Sequence, residues 1–281
     1  GRTLGYAEYG DSAGFPVFGL HGTPGSRIWF TEDDPTLHQL NIRFITADRP
    51  GYGLSDPHPN RTIVGYAQDI AQLANHLGID KFSVMGVSGG GVFTAACAYA
   101  LPNRVVKAGL ISTVNEFEKG RPPQEMNRQN KIVFNLSRKF PWLLKFMMGQ
   151  QKKLLDKHPE KYVESMRTNV GHLCLSDQEI MQQEGVVEVL AEHMREALRQ
   201  VGAGVVKEAK LETGKWGFDA SKIRVPIEVW HGVADTMAPV SSIKQLVAKL
   251  PNCQTHYVEN KGHFLTEDTV IWEEILLSVR G

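Results

Sequence analysis

The stretch Val84-Met85-Gly86-Val87-Ser88-Gly89-Gly90-Gly91 decides how the rest of the chain is read. It follows an apolar run from Phe82 and leads into a helical run that reaches Ala100, so it spells a buried strand turning sharply into a helix. A lone serine stands at the apex. Gly86, Ser88 and Gly90 fit the pattern G-x-S-x-G, in which the serine occupies a strained strand-to-helix turn. Side chains two residues before and two after such a turn would collide with it, which calls for glycine at both places. The Ser88 hydroxyl is then exposed at a helix N-terminus, where free N–H groups and the helix dipole favour a developing negative charge. The pattern is short, and a Gly-rich loop before an ordinary helix satisfies it too, so the surrounding chain must decide.

Upstream, Leu4 to Gly10 alternates as a strand and ends in the turn Gly10-Asp11-Ser12-Ala13-Gly14. Pro16 to Leu20 and Ile42 to Ala47 are short apolar runs suited to strands buried on both faces. They stop at His21-Gly22-Thr23-Pro24-Gly25-Ser26 and at Asp48-Arg49-Pro50-Gly51-Tyr52-Gly53. Thr62 is placed to cap a helix carrying Ile63, Tyr66, Ile70, Leu73, Ala74 and Leu77 on one face, with Gly78 placed to end it. Downstream, Val105 to Ile111 is the next strand, and Val225 to Trp230 and Gln254 to Val258 resume the series. Helices are expected at Ser241 to Leu250 and Glu267 to Val279. This alternation predicts an α/β fold: a mostly parallel central sheet flanked by helices on both faces.

The rhythm breaks between Asn115 and Lys222, where helical patterns carry almost no strand signal. Pro141 suits the first turn of a helix through Trp142, Phe146, Met147 and Met148. Ser176-Asp177-Gln178-Glu179 resembles a capping box, and Val187, Leu190, Ala191, Met194 and Leu198 form one stripe. An all-helical insertion of roughly a hundred residues is long for a connection. Residues 115–222 are therefore expected to form a helical cap domain on a core domain of residues 1–114 and 223–281.

Composition excludes several function classes. In 281 residues, 42% are hydrophobic and 22% charged, ordinary globular values that argue against disorder. Lys+Arg and Asp+Glu number 31 each, and no basic tract tracks a phosphate backbone, so nucleic acid is not an expected partner. Cys97, Cys174 and Cys253 are odd in number and far apart, which suits neither a disulfide framework nor a zinc site, and no metal or cofactor is expected. No apolar run approaches the ~20 residues of a membrane span and no signal-peptide pattern precedes the first strand, so no stable membrane insertion and a cytoplasmic location are expected.

In an open parallel sheet, catalytic groups collect beyond the C-terminal ends of strands. His21-Gly22-Thr23, Ser88, Asp235 and His263 all occupy such positions. With those residues in view, the chain resembles an α/β-hydrolase of the serine-nucleophile, esterase-like branch with a helical cap. Ser88, Asp235 and His263 stand in the order that fold uses. The resemblance also covers His21-Gly22-Thr23-Pro24-Gly25, Asp48 to Asp56, His231-Gly232-Val233-Ala234-Asp235 and Gly262-His263-Phe264. It implies Ser88 as nucleophile, His263 as its base and Asp235 as the group that orients the imidazole. It also implies an oxyanion hole from the backbone N–H groups of Gly89 and Thr23.

Several residues have duller readings. His231 and His21 are more simply structural, Asp48 and Arg49 look like a turn-bracing pair, and Glu116 or Glu118 compete with Asp235 for the acid position. Trp142, Phe146 and Met147 are candidates for an apolar substrate pocket, with packing between cap helices as the competing reading. An interfacial lid that meets lipid is a third reading, to which the balanced overall charge lends little. The expected activity is hydrolysis of a small or medium-size carboxylic ester through an acyl-serine. Lactonase, thioesterase, carbon–carbon hydrolase and aminopeptidase activities are alternatives on the same fold, although Gly-Val-Ser-Gly-Gly departs from the elbows of proline iminopeptidases and carbon–carbon hydrolases. From a different class, a ligand receptor that retains the three residues fits as well.

Overall fold

Seven strands make one sheet in the order β1-β3-β2-β4-β5-β6-β7. They are β1 (Tyr6–Gly10), β2 (Phe15–Leu20), β3 (Ile42–Ala47), β4 (Phe82–Val87), β5 (Val105–Ile111), β6 (Ile227–Gly232) and β7 (Cys253–Val258) in a computed structural model that describes residues 1–30 and 34–281. Only β1 runs antiparallel, against β3; every other pairing is parallel. Strands β4 and β6 are buried along their whole length, as strands covered on both faces must be. One face packs on α2 (Tyr66–His76), α3 (Gly89–Ala100) and α10 (Val240–Val247) through residues such as Ile70, Phe93 and Ile243. The other packs on α1 (Asp34–Gln39) and α11 (Thr269–Val279) through Leu37, Trp272 and Ile275. The α/β architecture expected from the strand–helix rhythm is the one observed.

The turn between β4 and α3 has the geometry its glycines suggest. Ser88 holds φ 56° and ψ −124°, a left-handed conformation costly for a residue with a side chain. A Cβ on Gly86 would lie 2.5 Å from the Gly90 carbonyl carbon, so the two glycines are pressed together across the turn. A Cβ on Gly90 would meet the Leu20 carbonyl oxygen at 2.2 Å, which shows that α3 starts hard against the end of β2. The collision expected around the serine therefore comes from two sources, the turn itself and a neighbouring strand.

Between β5 and β6 the described residues carry α4 (Arg128–Lys139), α5 (Pro141–Lys157), α6 (Pro159–Thr168), α7 (Leu175–Ile180), α8 (Val186–Ala197) and α9 (Ala203–Glu212). This inserted all-helical region has an apolar centre of its own around Leu144, Met148, Leu155, Ala191 and Leu198. The capping box read at Ser176 is not used. Helix α7 starts two residues earlier, with Cys174 in the N-cap position, and Ser176 makes no capping hydrogen bond. Asp177 instead turns its carboxylate out of the helix toward the core. Among the described residues, no helix is long and apolar enough to cross a membrane.

Candidate active site

The Ser88 backbone is held on both sides by the end of β5 and the residues just after it. Its N–H donates to the Ile111 carbonyl at 2.8 Å, and its own carbonyl accepts from Thr113 Oγ1 at 2.6 Å. Ser88 lines a cavity of about 410 Å³ that lies between the ends of the strands and the helical insertion. His263 lines the same cavity.

Asp235 follows β6 and His263 follows β7, and the two side chains meet: His263 Nδ1 lies 2.7 Å from Asp235 Oδ2. The other oxygen, Asp235 Oδ1, accepts from the backbone N–H groups of Met237 and Ala238 at 2.7 and 2.8 Å. A carboxylate pinned this way leaves Nδ1 of the ring as donor and Nε2 free to accept. Burial by itself lowers the His263 pKa, but the Asp235 charge and hydrogen bond outweigh it and the net shift is upward. The competing acid, Glu116, is engaged elsewhere, accepting from the backbone N–H of Trp216 at 2.9 Å. His231 is spoken for as well: its Nε2 lies 2.7 Å from the Ala238 carbonyl, and burial pushes its pKa down.

A residue that the sequence suggests only as part of a capping box completes this corner. Asp177 of α7 accepts from the backbone N–H of His263 at 2.9 Å and of Phe264 at 3.2 Å. The approach is possible because residue 262 is glycine: a Cβ there would sit 2.2 Å from Asp177 Oδ2. The inserted helices thus hold the imidazole-bearing loop directly.

Thr23 and Gly89, expected as a pair, are brought together; a Cβ on Gly89 would lie 2.2 Å from Thr23 Oγ1. Behind them is a buried charge network. Arg49, with no exposed surface, donates to the carbonyls of His21 and Gly22 and to both oxygens of Glu208 on α9, at 2.6 and 2.8 Å. Arg61 adds a third contact to Glu208 at 3.0 Å. His21 braces the same loop, with Nδ1 against the Gly22 carbonyl at 2.8 Å and Nε2 accepting from the Arg49 N–H at 3.1 Å. Asp48 and Arg49 are therefore not partners of each other: Asp48 pairs with Arg27 at 2.7 Å, and Arg49 reaches the insertion.

The Thr23 hydroxyl stands 2.7 Å from Glu208 Oε1 and 2.6 Å from Glu212 Oε1. A single hydroxyl proton serves only one of these contacts, so the other needs a proton on a carboxyl group. Glu212 is the one that carries it. Burial and the Glu208 charge push its pKa up to about 8. Burial also raises that of Glu208, but Arg49 and Arg61 more than reverse this and hold it below the usual range.

The cavity itself is methionine-rich. Met148, Met166, Met181, Met194 and Met237, five of the chain's eight methionines, line it beside Tyr162, Leu173 and Phe264. Gln129, Asn130, Gln151 and Asn169 supply its polar patches, and among the described residues no Asp, Glu, Lys or Arg lines it. The pocket candidates Trp142, Phe146 and Met147 are not there. Trp142 is 69% exposed and Phe146 60%, both on the outer side of α5, and Met147 is exposed too. The physical reason is helical phase: Leu144, Met148 and Leu155 form the buried stripe of α5, which leaves Trp142 and Phe146 facing away. Glu208 and Glu212 were missed for the opposite reason, since charges on a helix read as a solvated face. Their one warning is position, on the same stripe as Val205 and Ala209. Among the described residues, no group of three or more His, Cys, Asp or Glu is disposed to hold a metal ion.

Residues 16–269 match the model of the α/β hydrolase fold family. Curated relatives include a probable proline iminopeptidase of Leptolyngbya boryana, 35% identical over 117 residues, covering 39% of this chain and 34% of that protein. A non-heme chloroperoxidase of Streptomyces lividans is 37% identical over 119 residues, 41% and 42% of the two chains. The chain thus spans between about a third and a little over half of the length of the curated relatives it matches, and their names differ in chemistry. Solved structures agree over nearly the full length: an esterase from Exiguobacterium antarcticum superposes with a TM-score of 0.72 at 18% identity, over 99% and 95% of the two chains. An enol-lactonase from Burkholderia xenovorans gives 0.71 at 16%, over 99% and 96%. At such identities the likeness concerns the fold. With the family model matched over most of its length, the chain belongs to the α/β-hydrolase fold family.

Proposed function

We propose that this protein hydrolyses uncharged carboxylic esters or lactones of small to medium size through an acyl-serine, with residues 115–222 as the cap that shapes the substrate cavity. One observation carries the reading: the strained Ser88 opens into the same cavity as the Asp235-bound His263, and that cavity is apolar and uncharged. Ser88 Oγ attacks the carbonyl carbon and gives its proton to His263 Nε2. Asp235 stabilises the resulting imidazolium and fixes its orientation. The carbonyl oxygen, now negative, accepts from the Gly89 and Thr23 N–H groups, each such donor being worth roughly 3–4 kcal/mol. Collapse expels the alcohol with the proton from His263, and water repeats the sequence on the acyl-enzyme.

The uncharged lining weighs against the aminopeptidase alternative, because a substrate's free ammonium group has no carboxylate to meet there. A panel of nitrophenyl esters, lactones and aminoacyl anilides, run on the wild type and on Ser88→Ala, tests the proposal. Ester or lactone turnover that falls by about 10⁴ in Ser88→Ala is expected. Preference for aminoacyl anilides, or turnover surviving in Ser88→Ala, overturns it. Because the His263 pKa is shifted upward, the acid limb of the pH–rate profile lies above the ordinary imidazole value.

A further inference from the structure

Between Arg128 and Lys157 the chain carries eight Lys and Arg against a single acidic residue, Asp156, although its charges balance overall. Asp156 is taken up by Lys152. Among the described residues, Lys139, Lys145, Lys153 and Lys157 join no ion pair. The three aromatic side chains that stand exposed among the described residues, Phe140, Trp142 and Phe146, all lie in this same segment. Trp142 and Phe146 are four apart on α5 and so adjoin each other, with Lys145 and Lys153 on the same side of the helix.

We propose that this outer face of α4 and α5 docks on an anionic phospholipid bilayer. Charge chooses the occupant. A second copy of the chain seated on the same face would set one strongly basic segment against another, whereas anionic headgroups complement it. The apolar side chains choose a bilayer over a simple polyanion: a tryptophan and two phenylalanines suit the headgroup boundary, where lysine stems lie along apolar surface and keep their ammonium groups in water. The same helices roof the cavity from their inner side through Val133, Met148 and Gln151. Docking therefore brings the cavity roof to the lipid surface, where uncharged, apolar molecules concentrate.

Sedimentation of the full chain with vesicles of phosphatidylcholine, alone or mixed with phosphatidylglycerol, tests this independently of any catalysis. Binding to the mixed vesicles, weakened by added salt, is expected, with little on phosphatidylcholine alone. Trp142→Ser with Phe146→Ser should weaken it by about tenfold or more, and Lys145→Glu with Lys153→Glu likewise. Val270→Ser, which removes an equally exposed apolar side chain from α11, should bind as the wild type does. Equal binding to both vesicles overturns the proposal, as does binding that survives both double substitutions or is lost in Val270→Ser. A concentration-dependent dimer in size-exclusion chromatography that Trp142→Ser dissolves, without vesicle binding, assigns the face to a second copy instead. Unchanged thermal unfolding of each variant shows that the fold is intact.

Discussion

Helices α9 and α5 belong to the same inserted region and treat water in opposite ways. Helix α9 buries two carboxyl groups in the core, where Glu208 and Glu212 have essentially no exposed surface. Helix α5 holds two large aromatic rings out in solvent. Each inverts the usual rule, and each inversion marks an attachment. On α9 the attachment is to the molecule itself, because Arg49 and Arg61 meet the buried charge and tie the loop bearing Thr23 to the insertion. On α5 the rings stand mostly in solvent, with no ring-stacking or hydrogen-bond partner among the described residues, so the face is available to something outside. A buried charge that is fully paired is a fixed point, and an exposed ring is a free one.

The comparison breaks most severely at Glu208. Glu208→Ala leaves the guanidinium of Arg49 buried without its partner, and removing one member of a buried pair costs about 3–5 kcal/mol. Against a total stability on the order of 5–15 kcal/mol, that loss should appear as a large fall in the urea midpoint. Next in size is Asp177→Ala on α7. It strips the acceptor from the buried N–H of His263 and the half-buried N–H of Phe264, at a cost of about 1–3 kcal/mol. It also removes a negative charge that helps to raise the His263 pKa, so the acid limb of activity should move to lower pH. A variant with wild-type stability and an unmoved limb would mean that the α7 attachment is incidental.

Glu212 sharpens the contrast through pH. Its proton persists to about pH 8 in the folded chain, where burial and the Glu208 charge hold it, but is lost in the ordinary carboxylate range on unfolding. Between those values the folded state binds more protons, so the Glu212 contribution to stability falls as pH rises through that window. Above pH 8, ionised Glu212 lies beside Thr23 and Gly89, where the reaction must stabilise negative charge, and turnover should decline. Glu212→Gln keeps a donor for Thr23 and removes the titration. It should lose the alkaline decline and flatten the fall of Tm across the window. An alkaline decline that persists unchanged in Glu212→Gln would assign it to another group.

What could be read from sequence follows the range of the interactions. Gly86, Ser88 and Gly90 were legible because one of the two constraints on them, the turn's own collision between Gly86 and Gly90, acts over a few residues. Asp235 and His263 were legible because strand ends in a parallel sheet are a small set of places. The contact of Arg49 with Glu208 spans 159 positions, and neither residue's neighbours announce it. Helix α5 was misread for a different reason. It carries two apolar stripes, Leu144-Met148-Leu155 and Trp142-Phe146, and periodicity identifies stripes without saying which one turns inward.

The smallest effect is the most telling about α5. Trp142→Ser with Phe146→Ser should change unfolding free energy by about 0.5 kcal/mol or less per site, the range for surface positions that touch no cap, core or buried network. Rings this size would cost several times more if they packed against anything in the folded chain. A urea midpoint lowered as far as in Glu208→Ala would show that the rings are structural and that both helices are anchored to the protein interior. An unchanged midpoint together with lost vesicle binding would separate the two helices cleanly, since a side chain kept without contributing to stability is accounted for by what it contacts outside the chain.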